Sequence, residues 1–338
     1  MLMNTVNVLL LCGGGGSEHD ISLISAEHIY NSLKNIEDFQ VFQIEICKDG
    51  QRKDQNGDLC ELRKSGEIFY PESNKTVYLH FAIPCIHGPP GESGEIQGIF
   101  EMMGLPYLGT RGEASILCFN KLSTKLYFDA LNIPNTPYLF LWDENQTELA
   151  FETLKDWGTV FVKATNQGSS IGCYKVTNKD QLAKVLPHAF ELSPYVLLEK
   201  AVSARELEVS AYESNGQLVV TGPGEILCPD GFYTYEEKYN NESHTDTAVT
   251  AQGLSPEQVD QIKSMASKAF KALKLRDLSR IDFFLCEDGT IYLNEINTFP
   301  GMTPISMFPK MMENRGDSFK DWLNEIIQKR RRQQKNKL

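Results

Sequence analysis

The segment SRIDFFLCEDGTIYLNEINTFPGMTPIS, from Ser279 to Ser306, sets acids, an amide and a guanidinium where they can act together. Asp288-Gly289 reads as a two-residue turn between two apolar runs, which pairs Glu287 with Thr290 if the turn has primed geometry. Counting outward from that pair brings Asp282 opposite Glu295. Side chains alternate along a strand, so Asn297 shares the face of Glu295 and Arg280 that of Asp282. Directly opposed carboxylates repel, and the arrangement makes physical sense where a cation sits between them. Two acids and an amide oxygen suit hard Mg2+, which keeps few protein carboxylates and prefers phosphate oxygens for its remaining positions. The alternative is an exposed hairpin with incidental charges.

Such a cation asks for a polyphosphate. Lys163 ends the strand-like run TVFVKA and is followed by TNQGSSIG. The lysine is a point charge, while Gly168, Ser169, Ser170 and Gly172 let backbone N–H groups and hydroxyls close over phosphate oxygens. Taken alone, such a tip is more often just a flexible turn. LLEKAVSARELEV adds Glu199 and Glu206 on a strand edge, able to take an adenine amino group and ribose hydroxyls, although surface glutamates are common. The four glycines of LLLCGGGGSEHDISL are not a nucleotide fingerprint: the G-x-G-x-x-G spacing would need glycine where Glu18 stands, and no Gly-Lys-Ser/Thr closes a P-loop.

These residues need elements to hold them. Val6 to Leu11 reads as a buried strand, the glycines as a tight turn, and Leu23, Ala26, Tyr30 and Leu33 as a helix face. The pattern returns at YLHFAIPCIHGPPGESGEIQGIFEMMGLP, with a strand ending near Ile86 and a helix face of Ile96, Ile99, Phe100 and Met103. The first 110 residues therefore predict an open α/β domain whose ligand loops gather at the strand carboxyl ends. Residues 111–198 predict a helix, NKLSTKLYFDAL, and a hairpin made of TVFVKA and IGCYKV. Residues 199–338 predict more strands, a Tyr/Glu-rich loop, and a helix with Ser255 as N-cap, Pro256 at its first position and Gln258 completing a capping box.

The chain has 338 residues, enough for two or three domains at about 150 each. Its formal charge is −12; the final KRRRQQKNKL carries +6 of it, leaving −18 elsewhere, which argues against a nucleic-acid partner. The basic tail from Lys329 is expected to be a solvated extension. The eight cysteines lie scattered with no pair at metal or redox spacing, and read as reduced core thiols of a cytoplasmic protein. No run approaches the ~18 apolar residues of a membrane span, and VNVLLLC, seven residues with no preceding basic residue, is too short for a secretory signal.

Lys163 with GSSIG, LLEK with Glu206, FYTYEEKY, and SRIDFFL with YLNEINTFPGMTPIS together resemble the ATP-grasp ligases, specifically the D-alanine:D-alanine ligase family; GGGGSEHDISLISA and IHGPPGESGEIQG match its substrate domain. The resemblance runs from about residue 6 to residue 323. It implies an ATP-grasp fold behind an open, Rossmann-like α/β domain, and ATP-dependent ligation of two D-alanines through an acyl phosphate for peptidoglycan precursors. It further implies Mg2+ or Mn2+, as two ions, and a homodimer without membrane or nucleic-acid partners.

By the same resemblance the first glycine turn serves the amino acid. Glu18 takes the ammonium of the first D-alanine, Ser169 and Tyr239 join it in a closing triad, and His87 lies nearby. Lys121, Lys163 and Lys238 face ATP phosphates, as do Ser169 and Ser170; Glu199 and Lys200 lie at the adenine end, and Glu206 at the ribose. Asp282, Glu295 and Asn297 carry the metal, with Asn294 beside ATP. Arg280 and the Gly301 N–H form the oxyanion site, and Ser306 meets the carboxylate of the second D-alanine. Ala164 replaces the family's usual proline, and Gly15 and Gly16 replace bulkier polar residues. Rival readings are a ligase joining D-alanine to D-lactate or D-serine and a silent ATP-binding regulator. Tyr239 argues for the dipeptide. The presence of Lys163, Arg280, Asp282 and Glu295 argues against the regulator.

Overall fold

The computed structural model describes residues 5–227 and 246–335. Strand β1 (Val6–Gly13) is followed by a helix at His19–Leu33, then β2 (Phe39–Ile46), β3 (Arg52–Asp54), β4 (Glu61–Arg63), β5 (Glu67–Tyr70), β6 (Lys75–Tyr78) and β7 (Phe81–Cys85). The first sheet has the order β3-β2-β1-β7, with β1 parallel to both β2 and β7. A parallel strand covered on both faces has no polar side, which is why β1 is a continuous apolar run. Its two faces enter different cores. Val8, Leu10 and Cys12 pack with Ala26, Ile29 and Leu33, whereas Leu9 and Leu11 pack with Ile96 and Phe100 of the helix Glu95–Met102.

Two sequence expectations need correction here. Ile99 is 40% exposed, because this helix is only two turns long and buries the side carrying Ile96 and Phe100. The antiparallel sheet β4-β5-β6 was not foreseen; its strands have three or four residues, too few to establish an alternating pattern.

The next unit holds β8 (Tyr138–Leu141), β9 (Val160–Ala164), β10 (Cys173–Val176) and β11 (Val196–Lys200) in the antiparallel order β10-β9-β11-β8. Helices Thr147–Trp157 and Lys179–Leu192 cover it with Ala150, Leu154, Leu182, Leu186 and Ala189. The expected hairpin is present as β9 and β10, with Lys163 in register with Cys173.

The last large sheet is built from β12 (Ala204–Ser214), β13 (Gln217–Val220), β14 (Gly224–Leu227), β15 (Asp246–Ala248), β16 (Leu278–Cys286) and β17 (Ile291–Asn297). Its order is β15-β14-β12-β16-β17, with β13 also on β12. Helix Pro256–Ala272 covers one face, starting from the expected capping box, in which Gln258 N–H donates to Ser255 Oγ and Ser255 N–H to Gln258 Oε1.

Among the described residues, the start of the basic tail is anchored rather than a solvated extension. Helix Phe319–Lys335 buries Trp322, Leu323, Ile326 and Ile327 in the core shared with β1 and helix His19–Leu33. Its Arg330 donates to Asp277 Oδ1 from Nε at 2.8 Å, and Lys329 donates to Glu213 at 2.8 Å. Asp277 is fully buried, and its Oδ2 accepts the Gly109 N–H at 2.9 Å. Arg276, alongside, donates to the Gly109 carbonyl. A run of like charge looks solvated in sequence because its acidic partners, the buried Asp277 and the half-buried Glu213, lie over fifty residues upstream.

Candidate active site

The site begins at the turn after β1. Gly13 has φ +82°, and a Cβ on it would stand 2.5 Å from the Ile46 carbonyl oxygen, so only glycine fits. The Gly14 N–H donates to that oxygen at 2.8 Å, and the Gly13 N–H to Ser22 Oγ at 2.7 Å. Gly15 and Gly16 are exposed, with open space where a side chain would be. The turn delivers Glu18 to the N-cap of helix His19–Leu33. Its carboxylate lies beside two other loops: Cβ atoms built on Gly88 and Gly168 would stand 3.5 and 3.9 Å from Glu18 Oε2.

The loop after β7 folds back on itself, since Gly91 lies so close to the Ile86 carbonyl that no side chain could be accommodated. His87 is buried, with Nε2 3.0 Å from Ser25 Oγ, which in turn accepts the Met302 N–H at 3.2 Å. Burial holds its imidazole below the ordinary histidine value despite the opposing charge of Glu18, so it is neutral at pH 7.

Helix Lys121–Ala130 starts against the hairpin tip, where Asn120 caps it and Lys121 Nζ donates to the Gln167 carbonyl at 2.5 Å. Ser169 and Ser170 both take positive φ at that tip. Lys163 and the fully buried Lys125 converge on Glu199: Lys163 Nζ is 2.6 Å from Oε2 and Lys125 Nζ 3.3 Å from Oε1. Burial alone would raise the Glu199 carboxyl, but the two lysines outweigh it and bring it down to about 2. A carboxyl depressed from its ordinary value stabilises the fold above that value. The contribution, about 3 kcal/mol, is present above about pH 5 and lost as pH falls towards 2. Glu199→Gln should therefore show a flatter acid limb than wild type in thermal melts across that range.

On the third sheet, register sets three acids in a row. Glu208 on β12 pairs with Asp282 on β16, which pairs with Glu295 on β17. Asp282 does face Glu295, but by a different route from simple counting. The turn carries three residues, with Cys286 N–H donating to Thr290 O and Gly289 in a left-handed conformation, which shifts the pairing near the turn by one. A bulge at Asn294 shifts it back, since Phe283 pairs with Leu293 and Asp282 with Glu295. The bulge places Asn294 and Glu295 together on the cleft wall.

Arg280 answers part of the charge. It donates to both Asp282 oxygens at 2.8 and 2.7 Å and lies 3.2 Å from Glu208. Asn297 Nδ2 donates to Asp282 at 3.0 Å. The carboxylate oxygens of Asp282 and Glu295 and the amide of Asn297 are the hard donors a divalent cation takes, although among the described residues no three His, Cys, Asp or Glu side chains are placed together to hold a metal ion. Farther along, Ser306 Oγ accepts from Thr303 N–H at 3.1 Å and lies against Gly301, where a Cβ would meet it at 2.8 Å.

One cleft thus gathers Glu18, Lys121, Lys163, Ser169, Glu199, Asn294, Glu295 and Asn297, with Asp282 and Arg280 on the adjoining strand. Lys200 is exposed and Glu206 half-buried on β12, and neither lines that cleft. Lys238 and Tyr239 lie outside the described residues. Glu92, Lys125 and Glu208 were missed by sequence reasoning. Glu92 sits in a Gly/Pro loop and Lys125 in mid-helix, where charged residues usually face water; only the alternation of Glu206 and Glu208 along one strand hinted at Glu208.

Residues 7–110 match the family model for the D-ala D-ala ligase N-terminus and residues 127–328 that for the C-terminus. A D-alanine--D-alanine ligase of Shewanella baltica is 53% identical over 329 residues, covering 96% of this chain and 98% of the relative. One from Vibrio parahaemolyticus is 53% identical over 325 residues, covering 95% and 98%. The crystal structure of D-alanyl-alanine synthetase A from Vibrio cholerae superposes with a TM-score of 0.92 at 48% identity, covering 97% of this chain and 99% of that one. The VanG D-Ala:D-Ser ligase of Enterococcus faecalis has a TM-score of 0.85 at 26% identity, covering 96% and 98%. With both halves matched by the family's models and relatives near 50% identity along almost its whole length, the chain belongs to the D-alanine–D-alanine ligase family.

Proposed function

We propose that the chain joins two D-alanines into D-alanyl-D-alanine, converting ATP to ADP and phosphate, as a cytoplasmic homodimer supplying peptidoglycan synthesis. The observation that carries this reading is the shared cleft: lysines suited to phosphate, Glu295 at the end of the carboxylate row, and Glu18 suited to an ammonium line the same space, with Asp282 on the adjoining strand. On this reading the chain divides into residues 1–110, 111–198 and 199–338, with two sheets in the first part and β11 (Val196–Lys200) running across the second boundary. Among the described residues no helix is long and apolar enough to cross a membrane.

In this reading Glu18 holds the ammonium of the first D-alanine, with His87 alongside. Lys121 and Lys163 stabilise charge on the phosphoryl group as it passes to the substrate carboxylate; Lys163 is kept charged and oriented by Glu199. Asp282, Glu295 and Asn297 would hold Mg2+ or Mn2+, as two ions, which when bound neutralises the phosphate oxygens. The amine of the second D-alanine, its carboxylate on Ser306, attacks the acyl phosphate. Arg280 and the Gly301 N–H stabilise the oxyanion, and phosphate leaves. Ser169, Ser170 and Asn294 complete the ATP end, and Lys200 and Glu206 the nucleoside end. Lys238 and the closing Tyr239, outside the described residues, retain the roles the family resemblance gives them.

ADP release measured with D-alanine alone, and with D-alanine plus D-serine or D-lactate, tests the reading; faster turnover with either alternative acceptor would transfer the chain to the corresponding ligase. Glu18→Gln should raise KM for the first D-alanine by about 10- to 100-fold and leave KM for ATP nearly unchanged, since a charge-assisted bond contributes about 1.5 to 3 kcal/mol. A change confined to the ATP constant would return the glycine turn to the nucleotide.

A further inference from the structure

The ligation reading leaves one proton without a destination. An amino acid at neutral pH presents its nitrogen as an ammonium, which has no lone pair, so a proton must leave before that nitrogen can attack.

Most acids of the cleft are committed elsewhere. Glu199 is locked between Lys125 and Lys163, and Asp282 is bidentate to Arg280. Glu295 belongs to the cation row, and Glu18 to the first ammonium. His87 is buried against Ser25 and held neutral, which makes it a weak base.

Glu92 differs from all of these. It lines the cleft, and its Oε2 accepts the N–H of Gly88 at 2.9 Å, so its own loop fixes the carboxylate. The charges it feels are Glu18 from the turn after β1 and Arg280 from β16, together with the Phe299 backbone two residues before Gly301. Its carboxylate is therefore within electrostatic reach of Glu18, assigned to the first substrate, and of Arg280, assigned to the oxyanion. Lys121 and Lys163 line the same cleft from the helix start and from β9, Ser169 adds an uncharged hydroxyl from the hairpin tip, and Glu295 faces in from β17. Although its side chain is half-buried at the cleft wall, desolvation there, helped by the charge of Glu18, pushes the Glu92 carboxyl up to about 7 against the pull of the Gly88 and Phe299 backbone and of Arg280. A base is most effective when its basicity matches the working pH.

We propose that Glu92 is a catalytic base for the second half-reaction, accepting a proton from the ammonium of the second amino acid. This rests on the ligation reading above. One N–H proton moves to a Glu92 carboxylate oxygen, and the freed lone pair forms the C–N bond at the acyl carbon. The tetrahedral centre then breaks its C–O bond to phosphate, which leaves with the second nitrogen proton, and Glu92 returns its proton to water.

The test compares wild type, Glu92→Gln and Glu92→Asp with ATP, Mg2+ and D-alanine, following dipeptide across about pH 6 to 9 and, separately, D-alanine hydroxamate with hydroxylamine as acceptor. Hydroxylamine is already largely neutral at pH 7 and needs no base. Glu92→Gln should lose dipeptide synthesis by about 10²- to 10⁴-fold near pH 7. Hydroxamate formation, which requires the folded enzyme and the same acyl phosphate, should stay within a few-fold of wild type. The residual dipeptide rate should climb about tenfold per pH unit with the free amine, in place of the wild-type acid limb near 7. Glu92→Asp should recover part of the loss. Equal loss of dipeptide and hydroxamate, or an unchanged pH profile in Glu92→Gln, would overturn the role and leave Glu92 as a loop clamp. A wild-type chain that makes hydroxamate but no dipeptide would overturn the dipeptide reading and this role with it; one that makes neither would overturn the acyl-phosphate chemistry itself.

Discussion

Replacing Glu295 by glutamine should reduce ADP release to below about one-hundredth of the wild-type rate, because neutralising a metal-binding carboxylate forfeits several kcal/mol of transition-state stabilisation. Stability should change by less than about 1 kcal/mol, since the side chain is half-buried and packs no core. Asp282→Asn should abolish turnover equally and carry a second penalty. Arg280 makes two short bonds to Asp282, and the amide leaves its charge facing Glu208 with less compensation. The loss should be roughly 2 to 3 kcal/mol, below that of a fully broken buried pair because Glu208 remains. Urea unfolding run beside the ADP assay separates the two variants. Normal ADP release by Glu295→Gln at low Mg2+ would remove the metal assignment.

The second large effect belongs to Asp277. Asp277→Ala should destabilise the chain by about 3 kcal/mol, as it takes the buried carboxylate from Arg330, which keeps only the half-buried Glu213, and leaves the Gly109 N–H without its acceptor. Its φ of +65° adds about 1 kcal/mol of strain for alanine. Yet burial holds the Asp277 carboxyl above its ordinary value even against Arg330 and Arg276, so desolvating the charged carboxylate costs more than its partners return. Replacing both partners, Asp277→Asn with Arg330→Met, should therefore recover much of the loss that Arg330→Met produces alone. Urea midpoints of the two single variants and the double variant measure this directly; purely additive losses would mean that the two residues do not act as a pair.

What sequence could show of this site depended on whether the relevant pattern was local. The capping box at Ser255 and the hairpin carrying Lys163 are short-range patterns and appear as expected. The facing of Asp282 and Glu295 emerged from counting that was incorrect at the turn, because the bulge at Asn294 compensates for a longer turn. A turn type and a bulge depend on neighbouring strands, and Asp-Gly specifies neither uniquely. Lys125 is invisible for a related reason: its partners Thr136 and Glu199 make it a core residue, and both lie outside its helix. Helices Thr147–Trp157 and Lys179–Leu192 are hard to see in sequence because the first buries only Ala150 and Leu154 and the second carries Pro187, ordinarily a helix breaker, inside it.

The four-glycine turn divides into two unlike halves. Gly13 and Gly14 hold backbone angles that side chains resist, and Gly13 has no room for one. Gly15 and Gly16 have neither restriction, so their bare backbones enlarge the number of conformations that the unfolded chain surrenders when it folds. Alanine at either position would restore about 0.4 to 1 kcal/mol through the unfolded ensemble alone. The turn that delivers Glu18 is thereby anchored on the strand side and loosely tethered on the helix side, keeping backbone freedom within three residues of the carboxylate proposed to meet the first substrate.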